Sequence, residues 1–272
     1  MEKDQLQQLC GVLLDADGVL WKENQPLADL PGIFRRLDNL GLNVVVVTNN
    51  STKSPEAYLK RFQGLGVTLE PGQVINSSLA TAEYLSQQFP EGGHVFLVGE
   101  SGLFETLEDF GFTHHDPSRE ETQELLAVVA GMDRELTYQK IDRAAALIRS
   151  GILFIGTNPD KTYPTPEGLA PGAGTVLAAL EAASGTEPQI MGKPRAGLFQ
   201  SAFRKLDCPP EQVLMVGDRL ETDILGAHRA GCLSALVLSG VSSTEDAANF
   251  DPAPDMTFGN VTDVVEFLER SR

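Results

Sequence analysis

Two acidic residues, Asp15 and Asp17, close an apolar run and stand just before a glycine in Gly11-Val12-Leu13-Leu14-Asp15-Ala16-Asp17-Gly18-Val19-Leu20-Trp21. Burying two carboxylates beside a core strand is unfavourable unless a cation or protein donors compensate them. Elsewhere Thr48-Asn49-Asn50 follows Val44 to Val47, Gly217-Asp218 follows Val213-Leu214-Met215-Val216, and Lys193 lies in Gly192-Lys193-Pro194. Together these offer carboxylates, a hydroxyl, amides and one ammonium, which suits a hard divalent cation plus a phosphoryl group. Asp15, at a strand end, is placed to act as a carboxylate nucleophile that forms an acyl phosphate. Asp15 and Asp218, with an oxygen from Asp17 and water, suit Mg²⁺, which prefers oxygen ligands. Its charge would let a phosphate dianion approach Asp15. The Thr48 hydroxyl and nearby backbone N–H groups would hold phosphoryl oxygens, and Lys193 would neutralise charge growing on them. Asp17, one step behind the nucleophile, suits a general acid that later serves as base.

These residues must be brought together by the fold. Val12–Leu14, Val44–Val47, Val213–Val216 and Ser234–Leu238 are apolar runs without polar alternation, as expected of strands covered on both faces of a parallel sheet. Between them lie helix patterns: Ile33, Phe34, Leu37 and Leu40 share one face, and Ser54-Pro55 opens another helix. Lys193-Pro194 opens a third, with Leu198, Phe199 and Phe203, and Ile224, Leu225 and Ala227 belong to a fourth. The alternation predicts an α/β fold with a doubly wound parallel sheet, whose ligands bind beyond the carboxyl ends of the strands. The interval from Thr48 to Lys193 is too long for one crossover. It carries its own alternation: strands at 94–98, 126–130 and 152–155, and helices at 103–110 and 138–149. The reading is a core of residues 1–79 and 181–272 with an inserted α/β domain over 80–180.

Composition narrows the function. With 21 basic against 38 acidic residues and a net charge of −17, the chain is not expected to bind nucleic acid polymers. No apolar run reaches the roughly 18 residues that a membrane span needs, and no secretory leader pattern opens the chain. Cys10, Cys208 and Cys232 are sparse and lack metal-type spacing, so the cytoplasm is the default location. Competing motifs fail. An EF-hand counted from Asp15 would need its late glutamate where Pro26 stands, Gly192-Lys193 precedes Pro194 rather than Ser or Thr, and Gly172-Ala173-Gly174 has Leu177 at the third dinucleotide glycine.

The motifs Asp15-Ala16-Asp17-Gly18-Val19-Leu20, Thr48-Asn49-Asn50, Gly192-Lys193-Pro194 and Gly217-Asp218 with Asp223 occur in the order of the haloacid dehalogenase (HAD) superfamily. The resemblance is closer to its NagD-like branch of 4-nitrophenyl, phosphoglycolate and pyridoxal phosphatases. Gly156-Thr157-Asn158-Pro159-Asp160 and Pro171-Gly172-Ala173-Gly174 look like cap segments of that branch. The resemblance implies a Rossmann-like core with an inserted cap that selects the substrate. It implies Asp15 as nucleophile, Asp17 as acid and base, and Thr48 with the Asn49 and Asn50 backbone on the phosphate. Lys193 would stabilise the phosphoryl group, Mg²⁺ would bind Asp15, the Asp17 carbonyl and Asp218, and Asp223 would support from behind. Ala16 stands where bulkier apolar residues are common.

The expected activity is Mg²⁺-dependent hydrolysis of a small phosphomonoester: a sugar phosphate, nucleotide monophosphate, phosphoglycolate or pyridoxal phosphate. Alternatives are a phosphotransferase or mutase on the same scaffold and a non-catalytic phospho-ligand binder. A homodimer through the cap is compatible with the branch. Asn158 and Asp160, after a cap strand, are candidate substrate contacts, whereas His114, His115, Asp133 and Arg134 read as surface residues and Trp21 as core packing.

Overall fold

A computed structural model describes residues 3–23, 25–115, 124–165 and 168–272. The continuous valine and leucine runs become the centre of a six-stranded sheet. Its order is Met256–Phe258, Leu233–Val237, Val213–Gly217, Gly11–Leu14, Asn43–Thr48 and Val74–Asn76. Gly11–Leu14 is buried at every position and pairs in parallel on both sides, with Leu14 opposite Val216 and Val46. That register brings the carboxyl ends of Gly11–Leu14, Asn43–Thr48 and Val213–Gly217 to the same edge. One sheet face packs Val12, Leu14, Val46, Leu214 and Val216 against Leu30, Ile33, Leu37, Val264 and Leu268. The last five come from helices Leu30–Asn39 and Val261–Ser271, capped by Asp29 and by an Asn260–Asp263 capping box. Helix Ala196–Leu206 also buries an apolar stripe, Leu198, Phe199, Ala202 and Leu206.

This sheet belongs to a compact unit of Met1–Thr48, Tyr58–Ile75 and Lys193–Arg272. The second unit is Asn49–Ala57 with Asn76–Gly192. Its parallel sheet has the order Gln189–Ile190, Leu153–Gly156, Leu125–Ala130, Gly93–Val98, Phe112–His114. Its core joins Phe96, Val98, Val128 and Phe154 to Ala144, Ile148, Val176 and Leu180 from helices Tyr138–Arg149 and Ala173–Ser184.

The units divide at 48/49, 57/58, 75/76 and 192/193, whereas the sequence reading places boundaries at 79/80 and 180/181. Helix Ser77–Gln88 begins directly after the strand Val74–Asn76, and helix Ala173–Ser184 runs on into Gln189–Ile190, which pairs with Leu153–Gly156. Helix Ser77–Gln88, helix Ala173–Ser184 and the edge strands Phe112–His114, Gln189–Ile190 and Met256–Phe258 are absent from the sequence reading. His114 ends the strand Phe112–His114. Cys10 and Cys208 form a disulfide across 198 residues of sequence, and Cys232 is free and buried.

Candidate active site

At the end of the strand Gly11–Leu14 the chain continues into the sheet edge, where the Asp15 N–H donates to Val216 O at 2.9 Å. Asp15 is thereby fixed between the central strands and is 6% exposed. Lys193 reaches the same point. Its Nζ donates to Asp15 Oδ1 at 2.5 Å and to Val47 O at 3.2 Å, and it pairs with Asp223 Oδ1 at 2.7 Å. The ammonium thus lies between two buried carboxylates and a strand carbonyl.

Asp218 follows the strand Val213–Gly217, and its Oδ2 accepts from the Val241 N–H at 2.8 Å. Asp223 sits in the π-helical turn Leu220–Ile224, and its Oδ2 accepts from the backbone N–H groups of Asp218 and Arg219 at 3.1 and 3.0 Å. Glycines make room for these carboxylates. A Cβ on Gly18 would lie 2.4 Å from Asp218 Oδ2, and one on Gly240 would lie 1.9 Å from it. Gly18 also holds φ +91°, a left-handed conformation that disfavours any side chain. The Ser239 hydroxyl then ties the Gly18 carbonyl to the end of the strand Leu233–Val237 at 2.7 Å.

Asp15, Asp218 and Asp223 each offer an oxygen within 4.8 Å of the others. Three buried carboxylates face one ammonium, a surplus of negative charge in a low-dielectric setting. Burial pushes Asp15 well above the ordinary carboxylate range; Lys193 opposes that shift, and the charges of Asp223 and Asp218 add to it. Asp218 is pushed up to about 7 by burial and by Asp223, against the pull of the Val241 N–H. For Lys193, burial disfavours the ammonium, but Asp15 and Asp223 outweigh that and raise it. An all-oxygen, electron-rich donor set of this kind fits a hard divalent cation. Asp15, Asp218 and Asp223 could each give such an ion an oxygen.

Asp17 is half-buried, and its Oδ1 accepts from the Trp21 indole N–H at 3.0 Å. Thr48, the last residue of its strand, is buried and hydrogen-bonded to the Tyr58 hydroxyl. These six residues, Asp15, Asp17, Thr48, Lys193, Asp218 and Asp223, all belong to the first unit.

The other four sequence-derived candidates, Asn49, Asn50, Asn158 and Asp160, lie in the second unit. The Asn158 amide donates to Asn49 O at 2.6 Å, and the Asn49 amide donates to Asp160 Oδ2 at 3.1 Å. The Ser77 hydroxyl adds a second donor to Asn49 O. Asn50 Oδ1 accepts from the Thr52 N–H and hydroxyl at 2.9 and 2.7 Å. Asn158 and Asp160 thus shape the loop that follows Thr48. The sequence reading had no means of finding Tyr58, Val47 O or the Val241 N–H, because a buried tyrosine and backbone groups carry no motif.

Known proteins resemble this chain along nearly its whole length. The haloacid dehalogenase-like hydrolase family matches residues 12–113, and the HAD-hydrolase-like family matches residues 190–264. An acid sugar phosphatase of Staphylococcus aureus is 32% identical over 265 residues, covering 97% of this chain and 100% of that protein. The crystal structure of a 4-nitrophenylphosphatase from Thermotoga maritima superposes with a TM-score of 0.88 at 31% identity, covering 96% of this chain and 98% of that one. A glycerol phosphate phosphatase from Mycobacterium tuberculosis, solved in complex with calcium, gives 0.83 at 32% identity over 94% of this chain and 75% of the other. The buried carboxylates, their lysine and the chain-long similarity agree: this protein belongs to the haloacid dehalogenase-like hydrolases, in their phosphatase branch.

Proposed function

We propose that this protein hydrolyses phosphomonoesters of small metabolites, with Mg²⁺, through an aspartyl-phosphate intermediate on Asp15. The observation that carries the reading is the Lys193 ammonium lodged between Asp15 and Asp223 with Asp218 alongside. Lysine favours the ionised form of Asp15 and fixes its orientation, both of which a carboxylate nucleophile needs. Mg²⁺ held by Asp15, Asp218 and the Asp17 carbonyl would supply charge neutralisation for the incoming phosphate.

In the first half-reaction an Asp15 oxygen bonds to phosphorus as the bond from phosphorus to the substrate alcohol oxygen breaks. Asp17 gives that alcohol its proton. In the second, Asp17 takes a proton from water as the water oxygen bonds to phosphorus, the Asp15–phosphorus bond breaks, and inorganic phosphate leaves. Thr48 and the backbone of Asn49 and Asn50 would hold phosphoryl oxygens, and the ammonium of Lys193 would offset the charge growing there. The second unit, as an inserted cap, would choose the leaving group. The names of the relatives favour sugar and glycerol phosphates among the candidate substrates.

A panel of phosphomonoesters assayed for free phosphate with Mg²⁺, with chelator, and with the Asp15→Asn variant tests this. Turnover that needs both the metal and Asp15 is expected. Turnover retained by Asp15→Asn would refute the nucleophile assignment, and transfer to an added alcohol without phosphate release would support a phosphotransferase instead.

A further inference from the structure

We propose that Trp21 is a positioning residue for the general acid, acting through the Asp17 carboxylate. This rests on the reading of Asp17 given above. Trp21 is the only tryptophan of the chain and is fully buried. Burial alone would be served by phenylalanine, since a buried indole N–H is unfavourable unless it finds a partner. Its partner is Asp17 Oδ1, at 3.0 Å.

The local backbone makes that contact unavoidable. After Asp17 the chain turns at Gly18, and the Trp21 N–H returns to Ala16 O at 3.2 Å while the Gly18 N–H donates to Trp21 O at 2.8 Å. The indole therefore stands beside the residue four positions earlier. Helix Pro55–Gly64 then locks the ring. Tyr58 stacks on it at 6.2 Å and 14°, Phe62 packs at 5.0 Å, and the Arg61 guanidinium lies 3.9 Å over its face. The same Tyr58 is hydrogen-bonded to Thr48, so one aromatic cluster supports both the acid and the phosphate-binding hydroxyl.

The chemistry follows from donor type. An indole N–H only donates, so Oδ1 of Asp17 must accept, and the proton of the neutral acid is carried on Oδ2. Trp21 thereby chooses the oxygen that delivers the proton and restrains the rotation of the carboxyl group. A residue that only fills space would slow all substrates alike. A residue that aims the acid matters most where the leaving oxygen must be protonated.

The test compares kcat/KM of Trp21→Phe with wild type on 4-nitrophenyl phosphate, whose phenolate leaves unaided, and on glycerol phosphate, whose alkoxide does not. General acid catalysis contributes about 10²–10⁴-fold, and imperfect aiming should forfeit roughly 10- to 100-fold on glycerol phosphate but under about threefold on 4-nitrophenyl phosphate. Equal losses on both substrates, or none, overturn the inference. Asp17→Asn is run alongside: if its loss does not depend on the leaving group, the role of Asp17 falls, whereas a leaving-group-dependent Asp17→Asn beside a uniform Trp21→Phe overturns Trp21 alone. Should Trp21→Phe fail to fold, the single indole N–H resonance of ¹⁵N-labelled protein decides. In Asp17→Ala it should move upfield and exchange faster with deuterium, and an unmoved resonance refutes the contact.

Discussion

Stripping divalent cations should make this protein less stable as pH rises from about 4 to about 7, the reverse of ordinary acid denaturation. The group responsible is Asp218, whose folded-state value is raised from 3.8 to about 7 by burial and by Asp223. Between those values the folded protein keeps a proton that the unfolded chain has released, so each step up in pH favours unfolding. Asp15 is shifted the same way and adds to the effect. Lys193, raised above 10.5, holds its proton in both states throughout this window and contributes no slope. At about 1.4 kcal/mol per pH unit, the shift of Asp218 bounds its share at about 4 kcal/mol. For a chain of this size that is on the order of 10 °C in melting temperature. Melting curves in chelator, from pH 4 to pH 8, should therefore show the wild type falling relative to Asp218→Asn. The asparagine keeps the acceptor for the Val241 N–H without the charge. Excess Mg²⁺ should restore the wild type most at the alkaline end, where the carboxylates are free to ligate, and should do little for Asp218→Asn. Parallel wild-type and Asp218→Asn curves in chelator would refute the reasoning.

Lys193→Met should lower metal-free stability near pH 7 by about 3–5 kcal/mol, because it removes the buried ammonium paired with Asp15 and Asp223. Urea unfolding measures this, and Mg²⁺ should recover part of the loss; an unchanged midpoint would show that the ammonium does not hold the cluster. Gly18→Ala should weaken Mg²⁺ binding at least about tenfold, since its methyl group would lie 2.4 Å from Asp218 Oδ2 at φ +91°. Calorimetric titration with Mg²⁺ checks this, and wild-type affinity would mean that the turn and Asp218 relax independently.

Much of this architecture is legible in the sequence because the central strands are unalternated runs ending in polar residues. Val44–Val47 and Val213–Val216 announce both their burial and, through Thr48 and Asp218, where the site must form. What escapes is what periodicity does not encode. The strand Gln189–Ile190 has two residues and exists only through its pairing with Leu153–Gly156. Helix Ser77–Gln88 carries Ser77, Ser78 and Thr81 on its buried side, so it lacks an apolar stripe. Trp21 looks like core packing because burial dominates its side chain, and its hydrogen bond to Asp17 depends on how the Gly18 turn closes. Asn158 and Asp160 read as candidate substrate contacts, while their bonds to Asn49 follow from three-dimensional proximity across more than a hundred residues.

The central claim is that phosphorus is transferred to Asp15. Wild-type protein with Mg²⁺ and a ³²P-labelled phosphomonoester, quenched in acid within a single turnover and reduced with borohydride, tests it at the residue. The account predicts transient label on the peptide containing Asp15, with that aspartate converted to homoserine. Free phosphate that appears in the first turnover with no label on Asp15 at any time, or with label on another residue, would contradict it.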